Sequence, residues 1–401
     1  MMKNRLIILF VVLSMLLPYT LVGCTEPERI SYKTYSFAYF DTISTIIGYE
    51  ASEEEFGKTS GKVLSLLGEY HRLFDIYNEY EGVNNIYTIN SIVDGQHPVV
   101  KVDRKIIDML LYAKEMHELT GGKMNVAMGS VLSIWHDYRS EGMDTPKDAD
   151  IPPMDKLTEA MEHTDINKVV IDEENSIVWL SDPEMKLDVG AFAKGYAVEM
   201  AAQMLENMGK DGYVINVGGN IRTVGKKADG NEWKTGIENP TGDEDVPYIE
   251  YIGLDSDAIV TSGSYQRYYS VVVSAKCSNC EWVYDREVGI PEQDVAPGTL
   301  PSHLTGENKC PECNSRLKKT IKDFHHIIDP ETLMPAEKGF LSVSIICKDS
   351  GMGDGLSTAL FCMTLEEGMA LIESLDGVEA MWFGEDEVKH YSSGFSNYFY
   401  N

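Results

Sequence analysis

The chain has 401 residues, enough for one large or two ordinary domains, and its hydrophobic content of 43% is normal for a globular protein. It carries 64 acidic and 34 basic side chains, which give a formal net charge of −30. Because a strongly acidic surface repels polyanions, this charge argues against nucleic acid as a partner and against electrostatic docking on anionic lipid.

The first residues of the chain have the pattern of a signal peptide. Lys3 and Arg5 precede an apolar run over residues 6–17, which is too short to cross a bilayer as a helix. A small residue, Gly23, stands at the expected cleavage point. We therefore predict that residues 1–23 are a signal peptide for export.

The end of this segment, Leu21-Val22-Gly23-Cys24, resembles the lipobox of bacterial lipoproteins, whose cysteine is lipidated and becomes the new N-terminus. The resemblance implies that acyl chains on Cys24 anchor the protein to the outer face of the cytoplasmic membrane, with residues 24–34 as a polar tether. The alternative is an ordinary secretory signal that is followed by a cysteine by chance.

A strand and then several helices are predicted over residues 35–161. Ser52 and Glu55 form a capping-box signature at the start of one helix, and Asp103 is placed to cap another. The predicted elements are a strand over 35–49 interrupted at Asp41-Thr42, a helix from Ser52 to Phe74, a loop over 75–91, a helix from Asp103 to Gly121, and helices over 125–138 and 156–161.

Short strands dominate from residue 168 onward. The Asp229-Gly230 pair between two of them is a strong signal for a β-hairpin. Predicted strands cover 168–171, 177–180, 212–217, 221–225, 232–237, 248–254, 258–261, 267–274, 324–328 and 341–347, and helices cover 354–363 and 365–375 before two last strands. This order predicts an α+β fold with mixed, largely antiparallel sheets and flanking helices.

The stretch 186–205 is the first candidate for a functional element. It predicts a short strand ending at Val189, a turn at Gly190 and a helix whose apolar residues recur at helical spacing. This arrangement places Asp188 and Lys194 at a helix N-terminus, where free N–H groups and the helix dipole attract anions.

Asp354 and Thr358 form a second candidate. They stand four residues apart at the start of another predicted helix, so that both side chains lie on one face. A carboxylate and a neutral oxygen suit Mg²⁺, whereas the plainer alternative is that Asp354 is only a helix N-cap. His326, near the end of a predicted strand, is a residue type suited to a general base, although an isolated histidine is more often structural.

Taken together, the motifs of this chain resemble those of the FAD:protein FMN transferase (ApbE) family. They are Gly121-Gly122-Lys123-Met124-Asn125 continuing to Trp135, LDVGAFAKGYAVE at 187–199, NVGGN at 216–220, TSGSY at 261–265, HIIDP-x-T at 326–332 and GDGLSTALF at 353–361. The resemblance extends from residue 37 to the C-terminus, apart from a cysteine-containing region. It implies a T-fold-like architecture and an enzyme that splits FAD, attaches FMN through its phosphate to a threonine of a target protein, and releases AMP with Mg²⁺ as cofactor.

Residue roles follow only from this resemblance, which implies that His326 is the base for the target hydroxyl and that Lys194 supports the pyrophosphate. The implied flavin contacts are Phe40, Tyr77, Lys123, Met124, Asn125, Asp188, Lys194 and, nearby, Ile328; the implied Mg²⁺ ligands are the Ala191 carbonyl, Asp354 and Thr358. The family's usual Gly-Ala-Phe-Asp is Gly122-Lys123-Met124-Asn125 here, so an amide replaces a carboxylate expected at the flavin.

Residues 275–322 interrupt the ApbE-like region and divide it into 35–274 and 323–401. They are too many for an unstructured loop in a compact domain, and a hairpin tip tolerates such an insertion. Four cysteines form two C-x-x-C pairs in this insert, Cys277 with Cys280 and Cys310 with Cys313. Four thiolates so arranged suit a tetrahedral zinc or iron site.

The insert resembles rubredoxin, whose single iron is held by such cysteine pairs. The matching residues are WVYD at 282–285, APGT at 296–299 and the Cys310-Pro311 step. The glycine that usually follows each pair is Glu281 and Asn314 here. The alternative is a zinc-stapled knob, and the choice between Fe and Zn stays open.

The leading hypothesis is a membrane-anchored flavinyltransferase that modifies exported flavin-acceptor domains of membrane redox complexes. Two alternatives stay open from the sequence. One is hydrolysis of FAD without transfer, and the other is electron transfer between a flavin and an iron in the cysteine insert.

Overall fold

The computed structural model describes residues 28–400. The predicted signal peptide and residues 24–27 of the predicted tether, which include Cys24, lie outside the described residues. Within residues 28–400, no helix is both long and apolar enough to cross a bilayer.

As the α+β prediction requires, most helices come early in the described residues and most strands come later. The strands are β1 (Ile30–Tyr39), β2 (Thr42–Glu50), β3 (Val100–Lys101), β4 (Val169–Asp172), β5 (Ile177–Leu180), β6 (Tyr213–Val217), β7 (Asn220–Val224), β8 (Trp233–Glu238), β9 (Tyr248–Leu254), β10 (Ala258–Gly263), β11 (Tyr268–Cys277), β12 (Leu317–His325), β13 (Phe340–Cys347), β14 (Glu379–Gly384) and β15 (Lys389–Tyr391). The helices are α1 (Glu53–Phe74), α2 (Ile86–Asn90), α3 (Arg104–Leu119), α4 (Gly129–Asp144), α5 (Met154–Met161), α6 (Ala193–Asn207), α7 (Ser350–Phe361) and α8 (Leu365–Glu373).

An eight-stranded sheet with the order β1-β2-β6-β7-β10-β13-β14-β15 organises the fold, and its neighbouring strands are antiparallel. Smaller antiparallel sheets are β3-β5-β4, β8-β9 and β11-β12. The prediction of an α+β fold with largely antiparallel sheets is confirmed.

The two faces of the large sheet pack against different layers. In β6, Ile215 belongs to the core shared with helices α1, α6 and α7, whereas its neighbour Val214 packs with Trp233 and Ile252 of the β8-β9 sheet. This alternation is the period-2 pattern of a strand buried on both faces. The site described below lies on the helical side, where α6 and α7 pack together against β7 and β10.

Several boundaries differ from the sequence predictions. β1 begins at Ile30, so residues 30–34, which were assigned to the tether, pair with β2. The predicted loop over 75–91 contains the short helix α2, because Asn85 and Thr88 form a reciprocal capping box.

The predicted hairpin around Asp229-Gly230 is wrong, although the turn itself is present, with Gly230 at φ 80°. The strands that flank the turn enter different sheets, because β7 pairs with β6 and β10 while β8 pairs with β9. The apolar residues Trp233 and Ile237 of β8 cover the far face of the large sheet. Burial of these side chains therefore overrides the local turn signal.

The predicted strand ending at Val189 is also wrong. Residues 186–189 are extended, but they form only an isolated bridge between Lys186 and Met128. They are held instead by loop contacts: Leu187 N–H donates to Asn90 Oδ1 at 2.7 Å, and Asp188 N–H donates to the Val126 carbonyl at 2.8 Å. These bonds satisfy the backbone without a partner strand.

The cysteine module, defined as residues 275–322, forms the tip of the β11-β12 hairpin. The two strands pair from Tyr268 opposite His325 to Cys277 opposite Leu317, which is further than predicted. The module has its own small apolar core of Ala275, Tyr284, Ile290, Val295 and Leu304.

The module also contacts the loop that follows α4. Arg286 Nη1 lies 2.6 Å from Asp150 Oδ2, and His303 Nε2 lies 2.7 Å from Asp148 Oδ1. The Ser302 hydroxyl donates to the Lys147 carbonyl at 2.6 Å. These polar contacts connect the module to the helical layer as well as to its own hairpin.

Candidate active site

The N-terminal turns of α6 and α7 meet at the centre of the candidate site. The backbone N–H of Gly195 donates to Asp354 Oδ2 at 2.8 Å, and Lys194 Nζ lies 3.7 Å from the same oxygen. The Thr358 hydroxyl lies 3.4 Å from the Ala191 carbonyl oxygen. The residues predicted to form the metal site and the lysine beside it are thus brought together from two helices.

Asp354 does not cap its helix, which corrects one of the two sequence interpretations. α7 begins at Ser350, four residues before the predicted start, and Asp349 is its N-cap. The Asp349 carboxylate accepts the N–H groups of Gly351 at 2.7 Å and Met352 at 3.1 Å. Asp354 therefore lies in the second turn and is free of any capping role.

Burial dominates the electrostatics of Asp354. Removal from water raises the pKa of this carboxyl, while the Lys194 ammonium and the Gly195 N–H oppose the rise. A buried carboxylate of this kind is stabilised when it gains a second cation. The neighbouring Asn220 Nδ2, also buried, has no hydrogen-bond partner among the described residues.

The oxygens at this point fit a magnesium ion. Asp354 supplies a carboxylate, Thr358 a hydroxyl and Ala191 a carbonyl, and hard cations take oxygen ligands of these kinds. The long contact between the Thr358 and Ala191 oxygens is one that a cation between them would strengthen. The donor set therefore agrees with the ligands implied by the family resemblance.

A layer of polar residues supports this centre, and the sequence analysis did not assign it a role. The Ser262 hydroxyl lies 2.8 Å from Ser357 Oγ and 3.4 Å from Thr358 Oγ1. Ser350 Oγ bonds to Asn220 Oδ1, which fixes the amide beside Asp354. Ser262 and Asn220 belong to the TSGSY and NVGGN motifs, so the motifs were the available signal.

Two residues of the predicted flavin pocket, Tyr77 and Asp188, lie together at a second cluster. The Tyr77 hydroxyl is 3.5 Å from His136 Nδ1, and the two ring centroids are 5.2 Å apart. Asp188 is half-buried, and partial loss of water raises the pKa of its carboxyl, although the Gly190 N–H donates to it at 2.8 Å. Partial loss of water and then the Asp188 charge raise the pKa of the Tyr77 phenol.

Phe40 lies in the turn between β1 and β2. Its φ of 57° is left-handed, an uncommon conformation for a bulky residue. Its backbone N–H donates to His71 Nδ1 at 3.2 Å, and its ring meets the His71 ring edge-on at 5.5 Å. These contacts stabilise a strained turn and so fix where the Phe40 ring points.

The other predicted flavin contacts are engaged within the protein. Lys123 Nζ lies 2.9 Å from Glu331 Oε1 and 3.3 Å from Asp329 Oδ1. The Asn125 amide donates to the Thr164 carbonyl and accepts the Ala127 N–H, each at 2.9 Å. The side chains of Met124 and Ile328 are buried in the core. The Asn125 amide keeps a second N–H and a second acceptor lone pair for a further contact.

His326, the expected base, is half-buried at the end of the β12 segment. Its backbone N–H donates to the Arg267 carbonyl at 3.1 Å, and Nδ1 lies 3.3 Å from the same oxygen. Loss of water and the charges of Arg267 and Arg139 lower the pKa of His326 to about 3. The ring is neutral at neutral pH, and with Nδ1–H directed to the carbonyl, Nε2 is the nitrogen that can accept a proton.

Three residues that the sequence analysis missed surround this histidine and Tyr77. Arg139 and His136 come from α4, and Arg139 Nη2 lies 3.1 Å from His136 Nδ1. Arg267 comes from the segment before β11. Their positions could not be read from motifs, because α4 and the β11 segment meet only in the folded chain.

Two large open clefts of the described structure lie elsewhere. One, of about 850 Å³, is lined by residues such as Asn239, Tyr268 and Glu337, and the other, of about 640 Å³, lies between the large sheet and β8. None of the predicted site residues lines either cleft. The site is therefore identified by its convergent polar groups rather than by cavity size.

The four cysteines of the module converge as predicted. Their Sγ atoms lie within 4.8 Å of one another, with separations of 3.3 Å for Cys277–Cys313, 3.5 Å for Cys280–Cys310 and 3.6 Å for Cys280–Cys313. Sulfurs around a tetrahedral ion with metal–sulfur bonds of ~2.3 Å stand roughly 3.8 Å apart. The cluster therefore fits a single zinc or iron ion.

The backbone around the cysteines also suits thiolates. The N–H groups of Asn279 and Cys280 donate to Cys277 Sγ at 3.3 and 3.4 Å. The hydroxyl and N–H of Ser315 hold the pKa of Cys313 at about 6. Asn314 takes the left-handed conformation usual for the rubredoxin glycine, with φ 59°, whereas Glu281 does not.

Comparison with known proteins agrees with this geometry. The family model described as the ApbE family matches residues 40–296 and 314–382, and the rubredoxin model matches residues 274–320. A Klebsiella pneumoniae protein named FAD:protein FMN transferase is 27% identical over 317 residues, which cover 78% of this chain and 80% of the relative. A Treponema pallidum protein of the same name is 29% identical over 313 residues, covering 75% of this chain and 71% of the relative.

Solved structures show the same fold. The ApbE protein of Thermotoga maritima superposes with a TM-score of 0.69 at 24% identity, over 93% of this chain and all of that one (100%). The flavin transferase ApbE of Vibrio cholerae gives a TM-score of 0.65 at 21% identity, over 92% and 100% of the two chains. With most of its length matched by the family model and a rubredoxin-like module at a hairpin tip, this chain belongs to the ApbE family.

Proposed function

We propose that this protein transfers FMN from FAD to a threonine hydroxyl of an exported target protein, with Mg²⁺ as cofactor, and releases AMP. The observation that carries the proposal is the meeting of α6 and α7, where Asp354, Thr358 and the Ala191 carbonyl converge beside Lys194. A hard-cation site next to an ammonium group is what a pyrophosphate substrate needs, because its non-bridging oxygens carry the charge.

In this reaction the threonine oxygen forms a bond to the flavin-side phosphorus, and the bond from that phosphorus to the bridging oxygen breaks. The threonine proton passes to His326 Nε2, and AMP leaves with the bridging oxygen. Asp354, Thr358 and the Ala191 carbonyl would hold Mg²⁺, which would supply positive charge to the phosphate oxygens. Lys194 stabilises the negative charge of the leaving phosphate, and Asp354 holds the ammonium of Lys194 at 3.7 Å in the absence of substrate.

The flavin ring is assigned to the side of the site that carries Tyr77, Phe40 and Asp188. Tyr77 is exposed, so its ring is available for stacking on an isoalloxazine. Asp188, half-buried beside it, offers hydrogen-bonding oxygens to a ring N–H. Lys123, Met124 and Asn125 support this region through the contacts described above.

Export and membrane attachment are part of the same proposal. Lipidation at Cys24 would hold the enzyme on the outer face of the cytoplasmic membrane, where flavin-acceptor domains of membrane redox complexes are exposed. The −30 net charge is consistent with attachment by acyl chains rather than by electrostatic attraction to lipid.

The proposal is tested with the chain lacking residues 1–23, incubated with FAD, Mg²⁺ and a threonine-containing acceptor domain. Transfer gives a fluorescent acceptor band on a denaturing gel together with AMP. Asp354→Ala should reduce the band by roughly a hundredfold or more, because the metal site loses its only anionic ligand. Asp108→Ala, a surface carboxylate on α3, is the matched control and should keep full activity.

Other products would identify the alternatives. AMP and FMN without a labelled acceptor would replace transfer by FAD hydrolysis. A bound flavin that exchanges electrons with the cysteine module, with no AMP formed, would reject both reactions in favour of electron transfer.

A further inference from the structure

Arg139 and Arg267 are two cations without an anionic partner at the candidate site. Neither forms an ion pair with any carboxylate among residues 28–400, although this chain has an excess of acidic residues. Arg139 Nη2 lies 3.1 Å from His136 Nδ1, and the Arg267 carbonyl bonds to His326. Both guanidinium groups are close enough to lower the pKa of His326.

Their arrangement is unfavourable without a ligand. Arg139 is half-buried, and loss of water together with repulsion from Arg267 lowers its pKa. A half-buried cation is ordinarily paired, since desolvation without a partner costs free energy. The charge of the nearby Asp188 offsets part of this cost, but Asp188 forms no ion pair with Arg139, and its Oδ1 accepts the Gly190 N–H.

The position of the two arginines points to one part of a substrate. His136 connects Arg139 to Tyr77, the proposed stacking residue for the flavin ring, and Arg267 adjoins His326, the proposed base. The group between a flavin ring and the attacking hydroxyl is the flavin-side phosphate. A planar guanidinium with several N–H donors matches phosphate oxygens better than a point charge does.

We propose that Arg139 and Arg267 form a phosphate subsite that binds the flavin-side phosphate of FAD or FMN, separately from the magnesium site on α6 and α7. This inference rests on the proposed function, because it places a flavin between Tyr77 and the reacting phosphorus. On this inference, the two arginines make the site prefer a flavin that carries a phosphate, such as FMN or FAD, to riboflavin, which carries none.

The test measures binding of FMN and riboflavin to the full chain lacking residues 1–23 by quenching of flavin fluorescence, with EDTA present so that no Mg²⁺ contributes. The unmodified protein should bind FMN at least roughly tenfold more tightly than riboflavin, since two charge-assisted contacts are lost with riboflavin. Arg139→Gln and Arg267→Gln should each reduce this preference several-fold while riboflavin binding stays the same.

Arg139→Lys should restore part of the preference by charge, and Arg104→Gln, an exposed arginine on α3, should leave it unchanged. Arg267 is exposed, so its substitution leaves the fold intact even if a change at Arg139 does not.

An unchanged FMN preference in both glutamine variants would overturn the subsite. An equal loss of affinity for FMN and riboflavin would overturn it and indicate that the arginines contact the flavin ring. A higher KM for the acceptor alone would overturn it and indicate that they bind a carboxylate of the target protein. If the unmodified protein remains folded but binds neither flavin, both in EDTA and with Mg²⁺ added, it is the proposed function that fails.

Discussion

The backbone N–H of Gly195 donates a 2.8 Å hydrogen bond to the carboxylate of Asp354, 159 residues further along the chain. This bond joins the first turn of α6 to the second turn of α7. It thereby brings the Ala191 carbonyl close to the Thr358 hydroxyl. The geometry of the candidate metal site therefore depends on how closely the two helices approach, and this approach requires a small residue at position 195.

Gly195→Ala should separate the two helices. A Cβ at this position would overlap the Ser350 carbonyl oxygen and lie 2.5 Å from Asp354 Cβ, so backbone must shift. We expect a loss of stability of about 1–3 kcal/mol and at least roughly a tenfold loss of transfer rate. Thermal unfolding and the acceptor-labelling assay measure the two effects.

The control for this variant is Gly57→Ala, because a Cβ at Gly57 of α1 meets nothing within 4 Å. Alanine there should stabilise the helix by roughly 0.5–1 kcal/mol and leave the transfer rate unchanged. Equal transfer rates for Gly195→Ala and the unmodified protein would show that the close approach of α6 and α7 is not required.

Glu199→Gln should destabilise the protein strongly. Its Oε2 accepts Arg222 Nε and the Ser350 N–H, both at 3.0 Å, and so connects α6 to β7 and to the start of α7 in a buried position. Removing the charge of Glu199 leaves the buried Arg222 with the partly exposed Glu206 as its remaining carboxylate partner, for which we expect a cost of about 3–5 kcal/mol in chemical denaturation.

Glu206→Gln is the matched control, since Glu206 Oε1 lies 3.1 Å from Nη2 of the same arginine but its side chain is 43% exposed. An exposed pair contributes about 0–1 kcal/mol, so this variant should remain close to the unmodified protein. If both variants lose the same stability, the buried pair does not hold α6, β7 and α7 together.

The sequence indicated which residues come together at the candidate site better than it indicated the boundaries of the elements that carry them. Motif order, through the family resemblance, placed Lys194, Ala191, Asp354 and Thr358 in one candidate site, and the structure brings these residues together. The start of α7 was misplaced by four residues because Asp354 and Asp349 are both plausible caps, and only the N–H groups that Asp349 accepts distinguish them.

Contacts between residues that are far apart in the sequence could not be predicted from the sequence. The turn at Asp229-Gly230 is a correct local signal, yet the strands beside it separate to cover two layers of the sheet. In the same way, Arg139 and Arg267 are far apart in the sequence. Nothing in the sequence around either residue indicates that the two arginines lie close together in the folded chain. The cysteine cluster was predictable because its ligand spacing is itself the signal.

His326 should make stability depend on pH. Its pKa of about 3 in the folded protein lies below the ordinary value of 6.5, so the unfolded chain binds the proton more readily. The contribution of the neutral ring is therefore complete above pH 6.5 and decreases as the pH falls toward 3. We expect His326→Gln to lose less stability than the unmodified protein between pH 7 and pH 4.5, measured by urea denaturation at both values. A parallel loss in the two proteins would contradict a depressed pKa at this histidine.

Removal of metal should loosen the cysteine module and leave the rest of the described chain folded. The module's core consists of only a few buried side chains, and a unit this small needs a metal to stay ordered. Cys310→Ser, or a strong chelator, should therefore increase proteolytic cleavage between residues 278 and 316 by roughly tenfold or more, as mapped by mass spectrometry.

Elemental analysis and visible absorbance of the untreated protein distinguish iron, which is coloured in a four-sulfur site, from colourless zinc. Cys362→Ala changes a buried thiol outside the cluster and should leave the metal content unchanged. Cleavage that does not respond to metal loss would mean that the contacts of Arg286 and His303 with the loop after α4 are enough to hold the module in place.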